Sequence, residues 1–173
     1  TGSPSGVPGI WDAASLRLRR VLEKPIDLNS SISVSADSRL IAVGSADKLT
    51  RVWRLDTGEL LTTFQGHEQM VSAVAFSPDT RSLATSGHDN VTRVWDLASR
   101  QEIRALRGHK AQCMSLAYSP DGSRLATGSY DATAKLWDLA TGQVLQTFTG
   151  HANPILVLAF SPDGRTLATG SAD

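Results

Sequence analysis

The stretch GHKAQCMSLAYSPDGSRLATGSYDATAKLWD, residues 108–138, decides the fold because its features recur along the chain. Its first 24 residues match residues 150–173 at 14 positions without a gap. A fixed period of about 40–45 residues indicates a repeat architecture. The features that recur every 42 residues are the tryptophans Trp11, Trp53, Trp95 and Trp137, the pairs Gly66-His67, Gly108-His109 and Gly150-His151, and the serines Ser77, Ser119 and Ser161 of the Ser-Pro-Asp triplets.

Each unit predicts four short strands. In the unit 65–106, apolar and small residues alternate over 71–77, 82–87, 91–97 and 101–106, with Pro, Asp, Asn and Ser between the runs. Alternation of period two, broken by turn residues, is typical of antiparallel strands. Because apolar residues do not recur at helical spacing, the sequence predicts an all-β fold. A four-stranded sheet cannot bury both faces alone, so several sheets must pack face to face.

These residues resemble the WD40 β-propeller family, in which each repeat forms one blade of a ring. The resemblance covers about residues 10–173 and implies a WD40 β-propeller fold. The motifs that carry it are Gly108-His109, Ser119-Pro120-Asp121-Gly122, Leu125-Ala126-Thr127-Gly128-Ser129, Asp131 and Leu136-Trp137-Asp138.

The resemblance also implies a buried hydrogen-bonded network of His, Thr, Asp and Trp in each blade. Buried indole and imidazole groups need partners, which favours the same assignment. A catalytic triad is the alternative interpretation, but the set recurs in every complete unit, whereas catalysis needs one copy in a cleft. The network residues are His67, Thr85, Asp89 and Trp95; His109, Thr127, Asp131 and Trp137; and His151, Thr169 and Asp173, completed by Trp11.

The first unit departs from the pattern at two coupled positions. Lys24-Pro25 stand in place of Gly-His, and Val43 stands in place of Thr, while Asp47 and Trp53 remain. If His and Thr serve one network, the loss of one removes the reason for the other. We therefore expect a looser, degenerate blade with Asp47 held mainly by its own turn.

The repeat boundaries predict four blades per chain, three complete and one split between the two ends. Two chains joined through the split blade would close a ring of eight blades, so one chain is expected to be half of the ring. In that composite blade Trp11 of one chain would meet Thr169 of the other. A four-blade ring of one chain and a larger assembly are the alternatives. The predicted segments are a leader or cloning scar (1–5), strands three and four of the split blade (6–22), a degenerate blade (23–64), two complete blades (65–106 and 107–148), and strands one and two of the split blade (149–173).

Composition narrows the classes of function. The 173 residues carry 17 Lys and Arg against 17 Asp and Glu, a balance that disfavours nucleic-acid or membrane partners. One cysteine, Cys113, favours a cytoplasmic location over a disulfide-forming compartment. The repeated histidines are separated by the rotation between blades, so we expect no metal site. No motif indicates a cofactor.

We therefore expect a non-catalytic protein–protein interaction scaffold that binds protein or peptide partners. The family resemblance places the variable loop residues on the top face, around the central channel, where partners commonly bind. Two alternatives stay open: an excised or engineered array with a purely architectural role, and an enzyme with its site in the channel. The expected partner contacts are Met70, His88, Gln112 and Tyr130.

Overall fold

A computed structural model describes residues 8–22 and 29–173, and every regular element in these ranges is a β-strand. The predicted leader at 1–5 and the Lys24-Pro25 substitution lie outside the described residues. The strands are β1 (Gly9–Trp11), β2 (Leu18–Val21), β3 (Asn29–Val34), β4 (Leu40–Ser45), β5 (Leu49–Arg54), β6 (Leu60–Gln65), β7 (Val71–Phe76), β8 (Ser82–Gly87), β9 (Val91–Asp96), β10 (Glu102–Arg107), β11 (Cys113–Tyr118), β12 (Arg124–Ser129), β13 (Ala134–Asp138), β14 (Val144–Phe148), β15 (Ile155–Phe160) and β16 (Leu167–Ser171).

The strands pair antiparallel, each with its neighbour in sequence. Three four-stranded sheets result: sheet I (β3–β6), sheet II (β7–β10) and sheet III (β11–β14). A first hairpin (β1–β2) and a last hairpin (β15–β16) are separate two-stranded sheets. The all-β prediction is confirmed for the described residues, and the sheets match the blades that the repeats predict.

The Ser-Pro-Asp triplets form the turn between the first and second strands of a sheet. In sheet II the Ser77 hydroxyl donates to Asp79 Oδ1 (2.6 Å) and accepts from the Ser82 N–H (2.9 Å). The residue after the aspartate adopts a left-handed backbone, with φ of 58° at Thr80 and 71° at Gly122. Small polar residues in this order therefore bring the chain back on itself without unpaired turn groups.

Consecutive sheets pack face to face through one recurring contact. An apolar residue on the last strand of one sheet, or directly after it in the first hairpin, shares a buried cluster with the tryptophan on the third strand of the next sheet. The ring centroids of Phe64 and Trp95 are 5.0 Å apart. The three pairs at these joints are Leu22 with Trp53, Phe64 with Trp95, and Leu106 with Trp137.

The first hairpin packs on sheet I and the last hairpin packs on sheet III. Ile10 and Leu22 join the apolar cluster of sheet I. On the other side β15 lies against β11 and β12. The two hairpins do not pair with each other, so the sheets described here do not close a ring.

Candidate functional site

A buried chain of hydrogen bonds crosses sheet III. Trp137 Nε1 donates to Thr127 Oγ1 (2.8 Å), and Thr127 Oγ1 lies 2.8 Å from His109 Nε2. His109 Nδ1 lies 3.0 Å from Asp131 Oδ2. The strand pairing explains the meeting, because β12 carries the threonine between the loop before β11 and the tryptophan on β13.

Sheet II contains the same chain of contacts. Trp95 Nε1 lies 2.9 Å from Thr85 Oγ1, and that oxygen lies 2.8 Å from His67 Nε2. His67 Nδ1 lies 3.0 Å from the Asp89 carboxylate. The structure thus brings together, in each of these two sheets, all four residues of the network predicted there.

The environment of Asp131 and His109 determines their protonation. Burial opposes ionisation of Asp131, but hydrogen bonds from Thr133, from the Lys110 N–H and from His109 outweigh it and lower its pKa to about 2. Burial also lowers the pKa of His109, against the opposing effect of the carboxylate. His109 is therefore neutral at pH 7, and its proton lies on Nδ1 because the carboxylate can only accept.

The network leaves no nucleophile open to solvent. Thr127 is 0% exposed, and its oxygen already accepts from Trp137. Its hydroxyl proton points to His109 Nε2, which has no other donor once Nδ1 carries the proton. A hydroxyl held between two buried side chains positions the strands, and a substrate cannot reach it.

Sheet I replaces the network with an ion pair. Arg51 Nη2 lies 2.7 Å from Asp47 Oδ2, and Asp47 Oδ1 also accepts from the Leu49 N–H (3.1 Å). The expectation that Asp47 is held mainly by its turn is therefore incomplete. The sequence signal, an arginine four residues after the aspartate, also occurs in sheet II, where Arg93 lies 4.0 Å from Asp89 Oδ2 but makes its shorter contact with Glu102 (2.6 Å).

Val43 leaves the indole of sheet I without its usual acceptor. Trp53 is 0% exposed, and its Nε1 has no hydrogen-bond partner among the described residues. Val43 is also fully buried, so the site of the missing hydroxyl is filled by a methyl group. Packing alone holds this tryptophan.

The last hairpin holds an incomplete network. His151 Nδ1 lies 2.9 Å from Asp173 Oδ1, and His151 Nε2 lies 2.9 Å from Thr169 Oγ1. The His151 and Asp173 side chains are 32% and 30% exposed, against 1% and 10% for His109 and Asp131. Trp11, the predicted fourth member, is 55% exposed on the other hairpin and is not brought to Thr169 within one chain.

The four predicted partner contacts lie in two pairs on one edge of sheets II and III, which we call the loop face. The His88 N–H donates to the Met70 carbonyl (2.9 Å), and the Tyr130 N–H donates to the Gln112 carbonyl (2.9 Å). Tyr130 is 48% exposed, while the other three are partly buried. Each pair joins the loop before the first strand to the turn after the second.

The described ranges contain neither a metal-binding cluster nor a membrane-spanning helix. Residues 8–22 and 29–173 contain no group of three or more His, Cys, Asp or Glu side chains arranged to hold a metal ion. In the same part of the chain no helix has the length and apolarity to cross a membrane.

The chain belongs to the WD40 family. The family profile described as "WD domain, G-beta repeat" matches residues 23–54, 58–96, 100–138 and 142–173. Repeats of this family generally mediate protein–protein interactions, and the family is typically non-catalytic. No curated protein sequence matches the chain.

Thr127→Val and Val43→Thr form a matched pair of substitutions. Thr127→Val leaves Trp137 Nε1 and His109 Nε2 without partners, so we expect a loss of about 2–4 kcal/mol in the free energy of unfolding. Val43→Thr supplies an acceptor for Trp53 but buries a hydroxyl proton with no imidazole beside it, so we expect a change within about 1 kcal/mol. Urea unfolding followed by tryptophan fluorescence measures both. Equal losses for the two variants would contradict the network.

Acidification is expected to destabilise the fold in two steps. The pKa of His109 in the folded protein is below the usual value of about 6.5. The contribution of His109 to the free energy of unfolding is therefore complete above about pH 6.5 and falls as the pH drops below that value. The pKa of Asp131 is lowered to about 2, so its contribution is lost between about pH 4 and pH 2. Urea midpoints from pH 8 to pH 3 measure this. His109→Gln should show a smaller loss than wild type between pH 7 and pH 5, and an unchanged loss would refute the assignment.

Proposed function

We propose that this chain is a non-catalytic interaction scaffold whose loop face binds a protein or peptide segment. The observation that carries the proposal is that the buried network of sheet II and that of sheet III each also fix the loop above them. Asp89 Oδ2 accepts from the Glu68 N–H (3.0 Å), and Asp131 Oδ2 accepts from the Lys110 N–H (2.8 Å). A loop held by a buried carboxylate loses little entropy when a partner binds.

The side chains on these rigid loops differ between repeats. Sheet II presents Met70 and His88, whereas sheet III presents Gln112 and Tyr130 at the same repeat positions. An adaptable thioether, an imidazole and an exposed phenol provide apolar contact together with hydrogen bonding. This chemistry suits an extended peptide segment with both apolar and polar side chains. The proposal includes no cofactor, nucleic-acid or membrane partner. It also assigns the scaffold to the cytoplasm, as expected for a sequence with one cysteine.

We also propose that two copies associate through a composite blade and close a ring of eight blades. Support comes from the two incomplete networks: among the described residues no indole donates to Thr169, and Trp11 is more than half exposed. In sheets II and III the corresponding threonine accepts from the corresponding tryptophan. The first hairpin of one copy would pair with the last hairpin of the other, which would also cover two open sheet edges.

A purely architectural repeat array is the second candidate. The 14 identities between residues 108–131 and 150–173 favour it, because repeats that share much of their sequence present less that distinguishes one partner from another. The two candidates differ in whether the loop face binds a ligand selectively.

Selection of peptides from a displayed library on the immobilised protein tests the loop face. We expect the selected peptides to bind the double variant Tyr130→Ala, His88→Ala at least tenfold more weakly. This variant removes the exposed phenol of sheet III and the imidazole at the same repeat position of sheet II. Ile103→Ala is the control, because Ile103 is 51% exposed on β10, away from the loop face. Equal binding by the wild type and the double variant, or no selected peptide, would favour the architectural candidate.

Sedimentation equilibrium of the 173-residue polypeptide tests the composite blade. We expect a mass of about 37 kDa, twice the 18.4 kDa of one chain, and 18.4 kDa for Trp11→Ala. Trp11 is largely exposed in one chain, so its loss should leave each copy folded by circular dichroism. Leu145→Ala is the control, because Leu145 corresponds to Ile103, which stays exposed beside a following sheet. A folded wild type of 18.4 kDa would refute the composite blade.

A further inference from the structure

At two joints an arginine on the last strand of one sheet, β2 of the first hairpin or β10 of sheet II, fastens it to the next sheet. Arg20 Nη1 donates to the Thr57 carbonyl (2.5 Å), and Arg20 Nη2 to the Asp56 carbonyl (3.3 Å). Arg104 Nε donates to the Leu139 carbonyl (3.2 Å), and Arg104 Nη2 donates to the Ala140 carbonyl. We call this contact the arginine clamp. In both cases the carbonyls belong to the turn between the third and fourth strands of the following sheet.

Each clamp lies against a glycine in that turn. Gly58 has φ of 74°, and a Cβ placed on it would lie 2.7 Å from Arg20 Cδ. Gly142 has φ of 77°, and a Cβ there would lie 3.4 Å from Arg104 Cδ. Both glycines therefore allow the left-handed turn, and Gly58 also leaves room for the arginine stem, whereas a Cβ on Gly142 would make an ordinary contact.

The joint between sheets I and II has neither part of the clamp. The position of Arg20 and Arg104 is occupied there by Thr62, and the position of the glycine by Arg100. Thr62 is too short to reach the turn carbonyls, and Arg100 adopts the left-handed backbone (φ 62°) as a non-glycine residue. Within this chain, clamped and unclamped joints therefore alternate.

The next joint in this order would lie between sheet III and the blade that follows it. The residues that would form the two sides of this joint are exposed. Phe148 has the repeat position of Phe64 and Leu106, which are 3% and 2% exposed, but Phe148 itself is 38% exposed. Its expected partner at the repeat position of Trp95 and Trp137 is Trp11, which is 55% exposed. One chain thus presents both sides of a contact that it makes three times internally.

The residues at the clamp positions of this joint also follow the unclamped pattern. The arginine position is occupied by Gln146, whose amide donates only to the neighbouring Thr147 carbonyl (3.3 Å). The glycine position is occupied by Leu16, which has φ of 57° and is 79% exposed. A leucine side chain there would oppose an arginine stem, as a Cβ on Gly58 would.

We propose, building on the self-association proposed above, that a second copy of this chain covers Phe148 with its Trp11, and that Gln146 and Leu16 make this joint an unclamped one. The joint between copies is then held by aromatic packing and strand pairing, without guanidinium bonds to the turn. Gln146 and Leu16 set its strength, so the joint between copies opens more readily than the clamped joints inside each copy.

The double variant Gln146→Arg, Leu16→Gly rebuilds the clamp and tests this assignment. Sedimentation equilibrium gives the dissociation constant of self-association for each protein. We expect the double variant to lower that constant by about tenfold, because charged donors strengthen hydrogen bonds to carbonyls. Phe148→Ala should raise it by about tenfold or more while leaving each copy folded by circular dichroism, since Phe148 is exposed in the single chain.

The matched control is Thr62→Arg, Arg100→Gly, which rebuilds the same clamp at the internal unclamped joint. It should raise the temperature of thermal unfolding and leave the dissociation constant unchanged. If wild type associates and Phe148→Ala weakens it, but the rebuilt clamp changes nothing, the assignment of Gln146 and Leu16 is wrong while the composite blade stands. If neither wild type nor the rebuilt clamp associates, the composite blade is wrong and this assignment falls with it.

Discussion

In sheets II and III the tryptophan on the third strand makes two contacts that the rest of the structure depends on. Its N–H donates to the buried threonine of its own sheet, as Trp137 does to Thr127, and its ring covers an apolar residue of the preceding sheet, as Trp95 covers Phe64. The first contact sets the spacing of strands and loops within a sheet. The second sets how sheets stack. Because one side chain makes both contacts, the internal order of a sheet and its packing are coupled.

The first unit shows which of these two roles is the stricter one. Val43 removes the hydroxyl, yet Trp53 remains fully buried against the first hairpin. Loss of the polar contact is tolerated where the apolar contact persists, since a large buried ring contributes more than one neutral hydrogen bond. Arg51 forms an ion pair with Asp47 in place of the histidine that this unit lacks. The unit keeps its packing and changes its electrostatics.

Most of the fold could be predicted from the sequence because repetition makes every local signal count several times. The strands and the Ser-Pro-Asp turns follow from a 42-residue period together with turn chemistry, whereas the members of the network were implied by the resemblance to the WD40 family. The close pairing of Arg51 with Asp47 could not be predicted, since Arg93 has the same spacing yet lies 4.0 Å from Asp89 and makes its shorter contact with Glu102. The arginine clamp could not be predicted from the sequence either, because Arg20 and the carbonyls of Asp56 and Thr57 are more than thirty residues apart in the chain.

By itself, the sequence determined that this chain is a WD40 array of antiparallel sheets, which of its residues recur, and where one unit departs from the others. Those properties depend on local alternation, turn residues and spacing, which act over a few residues. Only the tertiary structure decided which side chains are shielded and which stay open, such as Phe148 and Trp11 against their buried counterparts. Burial is a property of neighbouring sheets, so identical repeat positions acquire different surroundings once the sheets stack.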